Sequence, residues 1–482
     1  MKIAFLIQKL DLTPPLGIQY LSAILKKHNH EVCLIIFKEK DYINQLKIFK
    51  PDVLMYSITT GYHKEAIEIN KEIKKHIKAY SIFGGPHPTF YPQMIEEEEA
   101  EEENINAVCI GEGEYAIIDF LEKLGRGEGE EIHTLNFWVK KEKKIFKNSV
   151  RPLIENLDDI PFLDREIIYE KEPFFAKLEI KRFLAGRGCP FSCKYCFNNE
   201  YNKLYSGKGK IIRLRSVDNL IKEIKQVKEK YGFKALKFVD DTFNFNKEWL
   251  KEFCIKYKEE INLPFICNVR ADLLNEDMIK GLAKANCMAI YMGIETGNEK
   301  IRKEILNRNM SNEQIIKTCK LLRQNKIKII TQNMLGIPSE TLKESYETIY
   351  LNAKCKTDFG NYAMFQPYPG TELTKFAIDN NYFDGNFDKL DMSYLHNTSL
   401  NYTPTEKKQL ENLLKLSTLI SKHPFLIPIS RLLIKLPKNI LFDLIYKFAY
   451  GLGLWRVFSK VFGLGINSFK YMKKVNDFIK EK

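Results

Sequence analysis

The first 125 residues alternate short apolar runs with amphipathic stretches. KIAFLI, EVCLIIF, PDVLMYSIT, AYSIFGG and INAVCIGEGE are apolar enough throughout to be strands buried on both faces. LGIQYLSAILKKHNH, HKEAIEINKEIKKHIK and EYAIIDFLEKL instead place apolar residues three and four apart, the spacing of helices packed on one side. Five strands separated by helices predict a parallel sheet with helices on both faces, an α/β domain of Rossmann or flavodoxin-like type. Ligands of such sheets bind beyond the carboxyl ends of the strands. The punctuated loops LTPPLG, GGPHPTFYP and GEGE fall at those ends.

From residue 132 to 178 the pattern loosens. NFWVKKEKKIFKNS predicts a hairpin and RPLIENLDDIPFLDRE an extended connector. A second alternating series follows, with strands KRFLAGR, ALKFVDD, FICNVRA, MAIYMGIE, IKIITQNML and NYAMFQPYP and amphipathic helices between them. Six β/α units predict a partial (β/α)6 barrel of TIM type, with its chemistry again at the carboxyl ends of the strands. The expected layout is a first domain over 1–131, a linker over 132–178, the barrel over 179–395 and a helical C-terminal region over 396–482.

Charge sharpens the last of these. The net charge of +13 is concentrated after residue 400, where fifteen Lys or Arg stand against five Asp or Glu. The rest of the chain is nearly balanced, which argues against a nucleic-acid partner. The acidic run EEEEAEEE, residues 96–103, reads as a solvated helix end or loop. The tail from His423 is apolar but interrupted by Arg431, Lys435, Lys438 and Lys447, and Pro424, Pro428 and Pro437 divide it into short helices. Its apolar runs fall short of the roughly 20 residues that span a bilayer. Two readings stay open: amphipathic helices lying in a membrane interface, and helices packed across the open side of the barrel. The first would suit a lipid-like substrate. The N-terminal apolar run is too short for a signal peptide, so the expected location is cytoplasmic, with peripheral membrane contact left open.

The chemistry concentrates in GRGCPFSCKYC, directly after the first barrel strand. Cys189, Cys193 and Cys196 form C-x3-C-x2-C. The other seven cysteines are scattered through predicted strands and helices and read as buried free thiols. A structural zinc site wants four ligands, and so does a ferredoxin-type cluster. No fourth cysteine stands at matching spacing. Three thiolates would leave one metal position open, and zinc or an electron-transfer cluster remain the alternatives on spacing alone.

With Tyr195 as its aromatic, the motif resembles the signature of radical S-adenosylmethionine (SAM) enzymes. The resemblance extends over about residues 180–375 through FVDDTF (Asp240, Asp241), CNVRADLL (Arg270), YMGIETGNE (Gly293, Glu295, Gly297), MLGIPSET (Gly336, Pro338) and FQPYPGTEL (Pro369, Gly370). It implies that Cys189, Cys193 and Cys196 ligate a [4Fe–4S] cluster whose fourth iron chelates SAM, and that a ferredoxin- or flavodoxin-type reductant supplies one electron. C–S cleavage would then yield methionine and a 5′-deoxyadenosyl radical. The N-terminal segments and the connector LDDIPFLDRE resemble the cobalamin-binding module of one subgroup of these enzymes. D-x-H-x-x-G, which supplies a cobalt-ligating histidine in other cobalamin domains, is replaced here by LTPPLG.

The resemblance implies that the Tyr195 backbone helps hold the adenine. Arg270 would grip the SAM carboxylate, with a buried salt bridge as its competitor. Asp240 and Asp241 would meet the ribose or substrate, or cap a helix. Glu295, in the strand end that contains Gly293, would reach SAM or pair with Arg302 or Lys300. Gly84, Gly85, Gly111 and Gly113 would let the backbone approach the corrin tail, or simply make turns. His87 stands in the same loops and would contact the cofactor or shape its turn. The expected activity is C-methylation of an unactivated carbon through methylcobalamin, acting on a small-molecule or lipid-like substrate. The alternatives are a radical cyclisation or rearrangement with the same cofactors, and a non-enzymatic cobalamin sensor or carrier with a structural metal.

Overall fold

The apolar runs become strands where expected. The computed structural model describes residues 1–10, 13–97, 104–127, 133–141, 144–387, 390 and 397–462. Leu12 of LTPPLG, positions 98–103 of the acidic run, two of the three predicted domain boundaries (131/132 and 395/396) and positions 463–482 of the tail lie outside the described residues. The chain divides into two units. The first comprises 1–176 with 200–211 and 368–370, and the second comprises the remainder.

In the first unit β1 (Lys2–Ile7), β2 (Glu31–Ile36), β3 (Val53–Ser57), β4 (Tyr80–Gly84) and β5 (Ala107–Cys109) pair in parallel, in the order β2-β1-β3-β4-β5. Their interiors are buried on both sides, as at Ile3, Ala4, Phe5 and Leu6 of β1 and Val53, Leu54 and Met55 of β3, which explains why they read as apolar runs. The predicted hairpin forms as β6 (Phe137–Lys141) and β7 (Lys144–Lys147), but not as part of a linker. It continues the sheet antiparallel to β5, with Ala107 opposite Val139. Covering the otherwise unpaired edge of β5 satisfies a row of backbone groups.

Two pieces expected in the barrel also join this unit. Tyr205 accounts for one of them. Its ring is 1% exposed in a cluster with Ile110, Val150 and Leu153, and its hydroxyl accepts a 2.9 Å hydrogen bond from the Glu112 amide.

The second unit holds β8 (Ile180–Phe183), β11 (Ala235–Phe238), β12 (Phe265–Val269), β13 (Cys287–Glu295), β14 (Lys328–Leu335) and β15 (Phe359–Met364). All pair in parallel and in sequence order from β8 to β15, the open six-stranded arrangement of a partial (β/α)6 barrel. The predicted strand KRFLAGR is broken after Phe183. Gly186–Arg187 forms a separate short strand, β9, paired antiparallel with β10 (Arg213–Leu214).

The C-terminal region belongs to the same unit. The helix Pro404–Lys422 buries Leu410, Leu413 and Leu414 against Tyr346, Ile349 and Tyr362, closing over the edge strand β15. From His423 on, Ile427, Ile434 and Phe442 are buried in the same cluster, so the tail packs through its inner surface. The last helix, Ile440–Phe462, runs 23 residues, longer than the short helices expected, because no proline interrupts the chain beyond Pro437. Among the described residues no helix is long and apolar enough to cross a membrane.

Candidate active site: a three-thiol cavity at the barrel mouth

The cysteine loop leaves the sheet because a carboxylate takes over its backbone. Asp240, at the end of β11, accepts hydrogen bonds from the amides of Ala185 and Gly186, at 3.1 and 2.5 Å. Those donors would otherwise serve a strand ladder, and their diversion sets the bend after β8. Burial pushes the Asp240 carboxyl up to about 7 despite these bonds.

From the far side the segment after β13 clamps the same loop. The Lys194 amide donates to Leu306 O at 3.1 Å, and the Asn307 side chain donates to Ser192 O at 2.8 Å. This segment contains a π-helical turn, Ile301–Ile305, a form concentrated at functional sites. A helix starts at Phe197, immediately after Cys196, and the Cys196 amide donates to Cys193 O at 3.0 Å.

Cys189, Cys193 and Cys196 line one cavity of about 260 Å³. Its other walls are the carboxyl ends of the strands: Asp241 and Thr242 beyond β11, Asn268 to Arg270 at β12, Gly293 and Glu295 on β13, and Gln332 on β14. The position within the barrel is the one expected for a reaction centre. Each sulfur has a polar neighbour. Cys189 Sγ lies 3.6 Å from the Thr242 hydroxyl, and Cys196 Sγ lies 3.7 Å from Asn198 Nδ2. Cys193 Sγ lies 3.8 Å from a guanidinium nitrogen of both Arg270 and Arg308. Such neighbours stabilise thiolates and the iron they would hold.

Burial raises the Cys189 thiol and pushes that of Cys196 to about 12, so iron binding must displace protons. Among the described residues no three His, Cys, Asp or Glu side chains gather closely enough to hold a single ion. A cluster that takes one thiolate per iron needs no such convergence. The donor set fits a [4Fe–4S] cluster.

The remaining expectations separate. Tyr195 lines the cavity and its side chain is hydrogen-bonded to Glu295. Glu295 is neither partnered by Arg302 nor by Lys300. The Arg302 guanidinium is fully buried and donates to Thr296 O, Met310 O and Asn312 Oδ1. Arg308 stands nearer, donating to Gly293 O at 2.8 Å. A register shift in the β13–β14 pairing and a φ of +66° turn Glu295 inward, a bulge of the kind that re-aims a side chain at a site. A Cβ at Gly293 would overlap Glu295 Oε1, so the glycine leaves room for the carboxylate in this position. Burial raises the Glu295 carboxyl, opposed first by Arg308 and then by the Tyr195 hydrogen bond.

Asp240 does not face the cavity, and its neighbour Asp241 does. Arg270 lines the cavity but pairs with Asp272 through two bonds of 3.1 and 2.8 Å, stacked on Phe191. The expected salt bridge is present, and Arg270 lines the cavity as well. Arg308 was not among the expected residues. Its only signal is its place in a loop after a barrel strand.

In the first unit the glycines serve protein contacts. A Cβ on Gly85, at φ +98°, would meet Ile58 backbone at 2.9 Å, and one on Gly111, at φ +77°, would strike the Tyr205 hydroxyl. Gly84 and Gly113 lie against Cys109 and Leu21 at ordinary contact distances. His87 is buried and stacked on His63 at 4.1 Å, with Nδ1 3.0 Å from the Thr60 hydroxyl. Burial, and then His63, lowers it to about 3, so it is neutral. Its Nε2 is buried without a partner, an atom that a bound polar group would satisfy. That orphan fits a polar ligand such as cobalamin at these loops.

The chain matches the radical SAM superfamily over residues 183–350 and the B12 binding domain over residues 9–121. It is a cobalamin-binding radical SAM enzyme. An uncharacterized methyltransferase of Pyrococcus horikoshii is 29% identical, covering 76% of this chain and 79% of the relative. The cytidylyl-2-hydroxyethylphosphonate methyltransferase of Streptomyces wedmorensis is 21% identical, covering 79% and 81%. An anaerobic magnesium-protoporphyrin IX monomethyl ester cyclase of Rubrivivax gelatinosus is 24% identical, covering 75% of this chain and 65% of the cyclase. Among solved structures, the cobalamin-dependent SAM radical enzyme OxsB superposes with a TM-score of 0.69 at 16% identity, over 99% of this chain and 75% of OxsB. The methyltransferase TsrM of Kitasatospora setae gives 0.64 at 14% identity, over 79% and 75%. The cofactors of this cobalamin-binding radical SAM enzyme are the [4Fe–4S] cluster, SAM and cobalamin.

Proposed function

We propose that this radical SAM enzyme is a C-methyltransferase acting on an unactivated carbon of a small-molecule substrate. The observation that carries the reading is the three-thiol cavity at the barrel mouth in a chain that also has a B12 binding domain. Relatives named as methyltransferases support it.

When bound, the cluster, SAM and cobalamin together supply reductive C–S cleavage and a transferable methyl group. The chain's own contribution is placement. Cys189, Cys193 and Cys196 hold the cluster. Arg270 and Arg308 put positive charge beside Cys193, where a cluster and a SAM carboxylate would both carry negative charge. Glu295 and Tyr195 offer acceptors to an ammonium or a ribose.

A second reading, radical cyclisation without methyl transfer, is favoured by the similarity to the cyclase. One experiment separates the two. The reconstituted protein is incubated anaerobically with a one-electron reductant, cobalamin, methyl-deuterated SAM and a small-molecule extract, and products are analysed by mass. Methyl transfer places the label on a product carbon. A new product without the label refutes it and leaves cyclisation or rearrangement.

A further inference from the structure

The helices Ile427–Leu433 and Ile440–Phe462 carry two apolar surfaces, and only one is used by the fold. Inward, Ile427, Ile434 and Phe442 are buried with the leucines of Pro404–Lys422, and Gly453 lies so close to the Phe359 ring that a Cβ would overlap it. Outward, Phe425, Ile429, Leu432 and Leu436 are between 45% and 73% exposed. On the last helix Ile440, Leu441, Leu444, Phe448 and Trp455 are between 56% and 77% exposed. These nine are more than half of the sixteen large exposed hydrophobic residues among the described residues, and the other seven are scattered from Met1 to Ile378. Single exposed apolar side chains need no explanation, but a contiguous set does.

The five on the last helix fall within an arc of about 100° at 100° per residue. Lys447 and Arg456, both half-buried, border that arc on either side. Between His423 and Phe462 there are six Lys or Arg and a single acid, Asp443, which pairs with Lys415 at 2.8 Å. Lys438 is held by Glu411, and Arg431 lies over the Tyr346 ring. The surface is therefore an apolar strip with aromatic residues and a basic margin.

We propose that this strip docks on the surface of an anionic lipid bilayer, lying in the interface without crossing it. Charge complementarity selects this occupant. A second copy of the chain meeting the same face about a two-fold axis would bring basic margin against basic margin. Residues 463–482 carry five Lys against one Asp and one Glu, and would meet the same repulsion. Anionic headgroups instead neutralise the margin while acyl chains receive the strip, and long basic side chains can lay their stems along it.

The test uses the full chain with vesicles of mixed phosphatidylglycerol and phosphatidylcholine, and with phosphatidylcholine alone. Co-sedimentation should show binding to the anionic vesicles at least about tenfold tighter than to the neutral ones, weakened by salt. Trp455 emission should shift to the blue on binding. The double variant Ile440→Glu, Phe448→Glu changes only exposed positions and should weaken binding at least about tenfold, with an unchanged circular-dichroism melt. The proposal is overturned if the wild type does not bind anionic vesicles, if it binds neutral ones as well, or if the double variant binds like the wild type. It is equally overturned if the wild type forms a dimer that the variant dissociates while neither binds vesicles.

Discussion

Replacing Arg308 with leucine tests the electrostatic design of the cavity wall. The guanidinium is 6% exposed, donates to Gly293 O at 2.8 Å, and is the largest opposing influence on the burial-raised carboxyl of Glu295. Its loss leaves Gly293 O without that donor and removes the largest charge opposing the burial of Glu295, at a cost of about 1–3 kcal/mol. Glu295→Gln removes the charge but keeps an acceptor for Tyr195, and should cost about 1 kcal/mol. In the Arg308→Leu background the same change should cost nothing or restore stability, because the charge it removes is then unpaired. The double-mutant cycle should thus report a coupling of about 1 kcal/mol or more.

The pH dependence has a definite sign. A carboxyl whose folded pKa is raised above the ordinary 4.5 contributes stability that is complete below that value and lost as pH rises through the folded one. Losing Arg308 raises the folded value further, so the deficit of Arg308→Leu should grow between about pH 5 and pH 8. Anaerobic urea denaturation of the metal-free protein, wild type and three variants, at both pH values measures all of this. A coupling near zero, or a deficit independent of pH, would refute the electrostatic influence of Arg308 on Glu295.

Asp240→Ala should leave the amides of Ala185 and Gly186 without an acceptor, costing about 1–3 kcal/mol each. It should also lower iron uptake on reconstitution, while Asp240→Asn keeps most of it; equal iron in the alanine variant counts against the latch. Cys193→Ala should abolish cluster assembly, read as iron and sulfide content and the loss of visible absorption, with the fold retained. Lys237 lies over the Tyr291 ring at 4.0 Å, and burial, then Arg182, lowers it from 10.5 to about 7. The unfolded chain therefore binds more protons between those values, so stability should rise with pH across that window. Lys237→Met should flatten the rise and raise the melting temperature at neutral pH, and an unchanged slope would show that Lys237 is not responsible.

What could be read in the sequence was whatever depends on one strand or one loop. β1 to β5 are apolar through most of their length, so each announces itself as an apolar run whatever its neighbours are, and the barrel strands, which alternate buried with half-buried positions, show as shorter apolar runs between amphipathic helices. The three cysteines follow the first barrel strand, so the barrel mouth locates them without any distance being known. What could not be read depends on a partner far along the chain. KRFLAGR reads as one strand, and nothing within it shows that Asp240, more than fifty residues later, will take two of its amides. Asp240 and Asp241 are equivalent as letters. Successive side chains at a strand end point to opposite sides, which sends one into the backbone turn and the other into the cavity. A glycine permits close approach without specifying what approaches, so the spaces at Gly85 and Gly111 could be assigned to a corrin until Ile58 and Tyr205 were found filling them. Arg308 lies beyond a π-helical turn that no period predicts, yet that turn brings its guanidinium to both Gly293 O and Cys193. The elements of this enzyme are therefore local in origin, while the electrostatics of its site arise between elements. The substitutions that distinguish cluster binding from mere folding must accordingly be made at Asp240, Glu295 and Arg308 as well as at the cysteines.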